Sequence, residues 1–136
     1  MIIPCLSYRD AKQAVDFLCQ VLGCERHAVY EDGEGGIAHA ELKLGDGMLM
    51  LGSKRDNEFG RMIMMPDDVG RCETQSPYVC VPDADAVYAR AQAAGWEVVM
   101  PIKDEEYGGR GFCVRDPEAH LWYVGTYDPR TAKPSS

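Results

Sequence analysis

The chain repeats itself once, and that repeat constrains its fold more than any other feature. Near the start, Leu6-Ser7-Tyr8-Arg9-Asp10-Ala11 leads into a helical pattern that ends at Gly23. Further on, Val79-Cys80-Val81-Pro82-Asp83-Ala84 leads into a second pattern that ends at Gly95. Each opening reads as a short strand. In each, an aspartate stands at the N-cap position, where its carboxylate can accept the first free amide hydrogens of a helix. Ala11, Ala14, Val15, Leu18, Val21 and Leu22 fall on one stripe, and Ala84, Val87, Tyr88, Ala91 and Ala94 on another. That spacing predicts two amphipathic helices lying on a sheet. Gly23 and Gly95 stand where a left-handed residue ends each helix.

Three strand patterns follow each helix. In the first half they span about Glu25–Tyr30, Ile37–Leu44 and Met48–Leu51, with Gly45-Asp46-Gly47 turning between the last two. In the second half they span about Trp96–Met100, Arg110–Arg115 and His120–Thr126, with Asp116-Pro117-Glu118-Ala119 as the hairpin turn. The predicted organisation is one domain over residues 1–127. Module one covers about 1–52, a linker or flap 53–75 and module two about 76–127, with a frayed tail over 128–136. Two readings of the linker stand: its Met62-Ile63-Met64-Met65 run covers core, or the segment is a mobile lid over a binding site.

Composition narrows the function. Acidic residues number 22 against 14 basic ones, for a formal net charge of -8. This balance argues against general nucleic-acid binding, which needs basic charge to neutralise phosphates. No apolar run reaches the ~18 residues of a membrane span. Met1-Ile2-Ile3-Pro4-Cys5 lacks the basic-then-apolar pattern of a signal peptide, so a cytoplasmic location is expected. The six cysteines (Cys5, Cys19, Cys24, Cys72, Cys80 and Cys113) form no Cys-x-x-Cys pair and are expected to be reduced thiols used as small hydrophobes. Gly33-x-Gly35-Gly36 lies in a hairpin loop and opens no helix, so it is no phosphate cradle.

The segment Tyr107-Gly108-Gly109-Arg110-Gly111-Phe112-Cys113-Val114-Arg115-Asp116-Pro117-Glu118-Ala119-His120-Leu121-Trp122, together with the repeat, resembles the vicinal oxygen chelate superfamily. That group includes glyoxalase I, extradiol dioxygenases, fosfomycin resistance enzymes and bleomycin resistance proteins. The segment is similar to the bleomycin-resistance-like branch, in which an Asp-Pro-x-Gly hairpin is usual. Ala119 replaces that glycine, which implies a less strained turn or one stabilised elsewhere. The resemblance covers about Ile2 to Pro129. It implies an α+β fold of two tandem βαβββ modules forming an eight-stranded, cup-like sheet with helices outside and the ligand inside. It also implies a homodimer.

Metal-dependent relatives place His, Glu or Gln ligands in the cup. The resemblance carries those positions onto Ile3, Met50, Ser76 and Tyr123, none of which is a good ligand for a hard or borderline divalent metal. No metal and no cofactor are therefore expected. His39 and Glu41 share one strand face and leave a displaced metal site or an acid–base pair open, beside a purely hydrogen-bonding role. Their neighbours Ala38, Ala40 and Leu42 should face the helices. His27 and His120 read as surface or turn residues.

Strict alternation gives the expected cup lining: Ile3, Cys5, Ser7, His39, Glu41, Met48, Met50, Ser76, Tyr78, Cys80, Leu121, Tyr123 and Gly125. This mixture of sulfur, aromatic and hydroxyl groups suits a small organic molecule. Arg110 stands near the mouth, either to orient an anionic group or to pair with Asp104, Glu105 or Glu106. Three functions remain: a metal-free binding protein, an enzyme using a His39/Glu41 metal site, and an accessory module without a ligand.

Overall fold

In the computed structural model, which describes residues 1–135, contacts divide the chain into two compact units at Glu73/Thr74. Unit one runs β1 (Cys5–Tyr8), α1 (Ala11–Phe17), a π-helical turn (Leu18–Leu22), β2 (Glu25–Glu31), β3 (Ile37–Leu44) and β4 (Gly47–Ser53). Unit two runs β5 (Tyr78–Cys80), α2 (Ala84–Ala93), β6 (Glu97–Asp104), β7 (Arg110–Arg115) and β8 (Leu121–Gly125). Each is a βαβββ module with its own four-stranded sheet, ordered β1-β4-β3-β2 and β5-β8-β7-β6. The first strand pairs parallel with the last, Cys5 opposite Met50 and Tyr78 opposite Tyr123, while the remaining pairs are antiparallel.

The helix signals act as their chemistry requires. The Asp10 carboxylate accepts from the Gln13 amide at 3.0 Å, and Asp83 accepts from Ala86 at 3.1 Å. Gly23 and Gly95 take φ of 82° and 79°, the region in which a side chain is strained. The first helical stripe is wholly buried, but it ends in a π turn, a change of pitch that hydrophobic spacing does not reveal. On α2, Ala84, Val87 and Ala91 are buried, whereas Ala94 is exposed because the helix has already ended.

Alternation then sorts the strands into two faces. Tyr8, Ala40, Leu42, Leu49 and Leu51 are buried in module one, and Val79, Phe112, Val114, Trp122 and Val124 in module two. Ala38 departs from its expected place. It is exposed, because the β2–β3 ladder shifts register between Tyr30 and Glu31 and Ile37 turns inward instead. Ser76 also departs from its expected place, for β5 begins two residues later, at Tyr78. Cys24 and Cys113 behave as buried hydrophobes, but Cys5, Cys72 and Cys80 are exposed free thiols.

The β7–β8 turn is strained and held from one side. Ala119 sits at φ 69° with its side chain buried, so the expectation of a less strained turn fails. The stabilisation comes from Asp116. One carboxylate oxygen accepts from the amides of Glu118 at 2.9 Å and His120 at 3.1 Å; the other accepts from Trp122 Nε1 at 2.9 Å. His120 is thus a buried turn residue.

The segment after β4 packs on module one and is not a bare connector. Met65 is fully buried, while Met62 and Met64 are exposed, so the methionine run divides between core and surface. Arg9 ties the segment back through Asp68 at 2.8 Å. Its Gly60 has no substitute, because a Cβ there would lie 1.9 Å from the Arg55 carbonyl oxygen. The tail opens with Asp128 accepting from the amide and guanidinium of Arg130; its last residue, Ser136, lies outside the described residues.

Candidate functional site

The face of the first sheet opposite α1 carries Cys5 and Ser7 from β1, Met48 and Met50 from β4, and His39 and Glu41 from β3. Register makes two rows: Cys5, Met50 and Glu41 in one, Ser7 and Gly52 in the next. A cavity of about 200 Å³ opens on this face. Cys5, Ser7, His39 and Met50 line it, and Arg55, Asn57, Phe59 and Ile63 close one side. Glu41 and Met48 share the face but stand outside the cavity wall.

The wall residues after β4 escaped the sequence reading, because no periodicity marks an irregular segment. The polar start Lys54-Arg55-Asp56-Asn57 was the available signal. The Asn57 side chain accepts from the Gly60 amide at 2.8 Å and shapes the wall. Arg55 donates to the Ile37 carbonyl at 3.3 Å and stands 3.4 Å from Asp32. The Asp32 carboxyl is held below its usual range, first by the amides of Glu34 and Gly36 and then by Arg55.

His39 and Glu41 do meet, with His39 Nε2 2.9 Å from Glu41 Oε2. Tyr30 stacks on the His39 ring, centroids 6.2 Å apart. His27 lies 3.9 Å from the other Glu41 oxygen and is half exposed.

The corresponding face of module two carries Tyr78 and Cys80 from β5 and Leu121, Tyr123 and Gly125 from β8. Tyr123 is on the side opposite buried Trp122 and Val124. Its ring stacks beside Tyr78, centroids 5.9 Å apart. The Tyr123 hydroxyl donates to the Glu105 carboxylate, a partner the sequence did not announce. Burial and Glu105 together raise the Tyr123 phenol well above its usual value. Burial, followed by the nearby Cys80 and Tyr107, pushes Tyr78 up to about 12. Ser76 is exposed, ahead of this face.

Of the two roles open to Arg110, the geometry displays pairing. Its guanidinium donates to Asp104 at 2.9 Å and, from two nitrogens at 3.1 Å each, to Asp85 in the first turn of α2. These hydrogen bonds raise its pKa. Asp104 was a foreseeable partner; Asp85, far away in sequence, was not.

The divalent metal that the resemblance carries over from metal-dependent relatives does not fit the donors present. Ile3, Met50, Ser76 and Tyr123 offer an alkyl group, a thioether, a hydroxyl and a phenol. The residues directly opposite the strand positions, Cys5 and Tyr78, add a thiol and a second phenol. A phenol with a raised pKa is a poorer anionic ligand still. His39 and Glu41 supply two donors, and among the described residues no group of three or more His, Cys, Asp or Glu side chains could hold a metal ion.

These features meet a known pattern. The family model of the glyoxalase/bleomycin resistance protein/dioxygenase superfamily matches residues 4–124. The chain belongs to this superfamily. It is 30% identical over 122 residues to an uncharacterised protein of Mycobacterium tuberculosis, covering 90% of this chain and 71% of that one. The crystal structure of TioX from Micromonospora sp. ML1 superposes with a TM-score of 0.69 at 30% identity, covering 91% of this chain and 95% of TioX. A bleomycin resistance determinant encoded on the transposon Tn5 shares the superfamily fold at 18% identity, with a TM-score of 0.63 over 94% of this chain and 98% of that one. As in the sequence reading, no helix is long and apolar enough to cross a membrane among the described residues.

Proposed function

We propose that this superfamily member is a small-molecule-binding protein of the bleomycin-resistance type, which holds an organic compound without a metal ion. The cavity over β1, β4 and β3 carries the reading. Its wall mixes a thiol, a hydroxyl, a thioether, an imidazole and the Phe59 ring, which suits shape recognition plus a few hydrogen bonds. At about 200 Å³ it is below the ~300–1,000 Å³ of drug-sized sites. It therefore encloses one ring or side group of a larger ligand. Cys5, Ser7, His39 and Met50 line the contact, with Glu41 orienting His39. Tyr78 and Tyr123 offer aromatic contact on module two, and Arg110 serves as a clasp between α2 and β7. The protein acts as a homodimer, as members of this superfamily often do, in a cytoplasm that keeps its thiols reduced.

The test joins elemental analysis with native mass spectrometry on protein purified without chelator. We expect no stoichiometric Zn, Ni, Mn or Fe. We also expect an organic adduct, retained from the cell or found by screening, that Met50→Trp abolishes by filling the cavity. Binding should slow amide exchange over residues 53–64. One metal per chain, or a ligand indifferent to Met50→Trp, overturns the reading and brings the His39/Glu41 enzyme forward.

A further inference from the structure

We propose that the tyrosine cluster of module two is a binding site for small organic cations, those with quaternary or delocalised charge. It rests on the small-molecule-binding reading, in which Tyr78 and Tyr123 are aromatic contacts, and names the ligand class for that face; a probe that reads module two separates its failure from that of the cavity in module one.

The cluster is built on missing side chains. A Cβ at Gly125 would lie 2.8 Å from the Tyr78 hydroxyl oxygen and 3.3 Å from its ring. A Cβ at Gly111 would lie 3.0 Å from the Tyr123 ring. Both rings therefore rest on bare backbone of β7 and β8, close to parallel at 28°. Each is pinned by its hydroxyl, Tyr78 to the Tyr127 carbonyl at 2.7 Å and Tyr123 to Glu105. Tyr107 and Tyr127 meet edge to face beside them, centroids 5.0 Å apart. Tyr78 and Tyr107 are 40% and 54% exposed, so these aromatic surfaces are presented to a ligand and are not buried as core.

Charge selects the ligand. The Glu105 side chain is only 10% exposed and accepts from the Tyr123 hydroxyl, so a carboxylate stands at the hydroxyl edge of the aromatic cluster. Lys103, 3.9 Å away and 66% exposed, offsets it from the solvent side. Aromatic faces and a largely buried carboxylate attract cations. One carboxylate and phenyl faces cannot replace the hydration shell of Na⁺ or Mg²⁺, but a weakly hydrated organic cation loses little on entering. The net charge of -8 raises the local concentration of such ligands.

The experiment is an NMR titration of the full chain with choline and, in parallel, with its neutral isostere 3,3-dimethylbutan-1-ol. Choline should shift the amides of Tyr78, Glu105, Tyr107 and Tyr123, and bind about 5- to 30-fold more tightly than the alcohol. Glu105→Gln should weaken choline about 5-fold or more and leave the alcohol unchanged. Tyr78→Leu, at an exposed position that spares the core, should weaken choline to a similar degree. Equal affinity for the two probes, shifts confined to other residues, no binding at all, or choline binding untouched by both variants overturns the proposal. Binding to phosphatidylcholine vesicles without binding to free choline would overturn it as well.

Discussion

Replacing Asp116 by alanine should cost the fold about 3–5 kcal/mol. Asp116 and Trp122 are 3% and 1% exposed, and the carboxylate is the acceptor for the indole N–H at 2.9 Å. Without it, that buried donor has lost its partner, a penalty of about 1–3 kcal/mol. The amides of Glu118 and His120 lose the same acceptor, though water can reach a loosened turn and recover part of the loss. The turn also keeps Ala119 at φ 69°, a conformation that costs about 1–2 kcal/mol and persists only while its surroundings impose it. For a domain of this size each kcal/mol moves Tm by roughly 3–5 °C, so a fall of about 10–20 °C is expected. Urea unfolding followed by circular dichroism gives the free energy, and a double-mutant cycle with Trp122→Phe isolates the indole bond. Its coupling should be about 1–2 kcal/mol. Asp116→Asn should fall between, since an amide can accept at one side only. A loss under about 1 kcal/mol for Asp116→Ala, or a coupling near zero, refutes the account of the turn.

Two further outcomes follow from the titrating groups. Burial pushes the Cys24 thiol up to about 12, while Cys5 and Cys72 are exposed; iodoacetamide at pH 8 should label Cys5 and Cys72 first and Cys24 last, read by mass spectrometry, and equal rates would contradict this. Asp32 is held below its usual range in the folded chain, so its contribution is complete above the ordinary carboxylate value near ~4 and is lost as pH falls through the lower folded value. Protection of the Glu34 and Gly36 amides should therefore be flat from neutral pH downward until strongly acidic conditions, and a midpoint near pH 6 would show that another group controls the loop.

What was legible in the sequence is what regular backbone encodes. Caps, stripes and alternation placed both helices and put Tyr123 opposite Trp122, and the expected bounds of β3 and β7 are those observed. Superfamily membership followed from the same residues. The rest depends on contacts between distant positions. Nothing local marks Asp85 as the partner of Arg110, or Glu105 as that of Tyr123. The resemblance and alternation carry the fifth strand back to Ser76, but it begins only where β8 pairs with it, at Tyr78, a limit that no local pattern encodes. The cavity wall over residues 55–63 has no period at all, so its members emerge only when Asn57 and Gly60 close the loop. Ala119 shows the converse: the departure from glycine was visible, but the carboxylate that makes it tolerable was not read as its support.

The parallel pairing of first and last strands sets the order in which each module can assemble. Hairpins β2–β3, β3–β4, β6–β7 and β7–β8 join neighbours in sequence and close cheap loops. By contrast Cys5 must wait for Met50, and Tyr78 for Tyr123, so β1 and β5 dock last and across the longest loops. They are also the shortest strands, of 4 and 3 residues, held at a sheet edge. Cys5, Ser7 and Tyr78 ride on them. That half of each face is thus the last part to form on the way in and the first to come away in partial unfolding, and any molecule bound so as to bridge these strands to β4 or β8 would act as a clamp that keeps them in place.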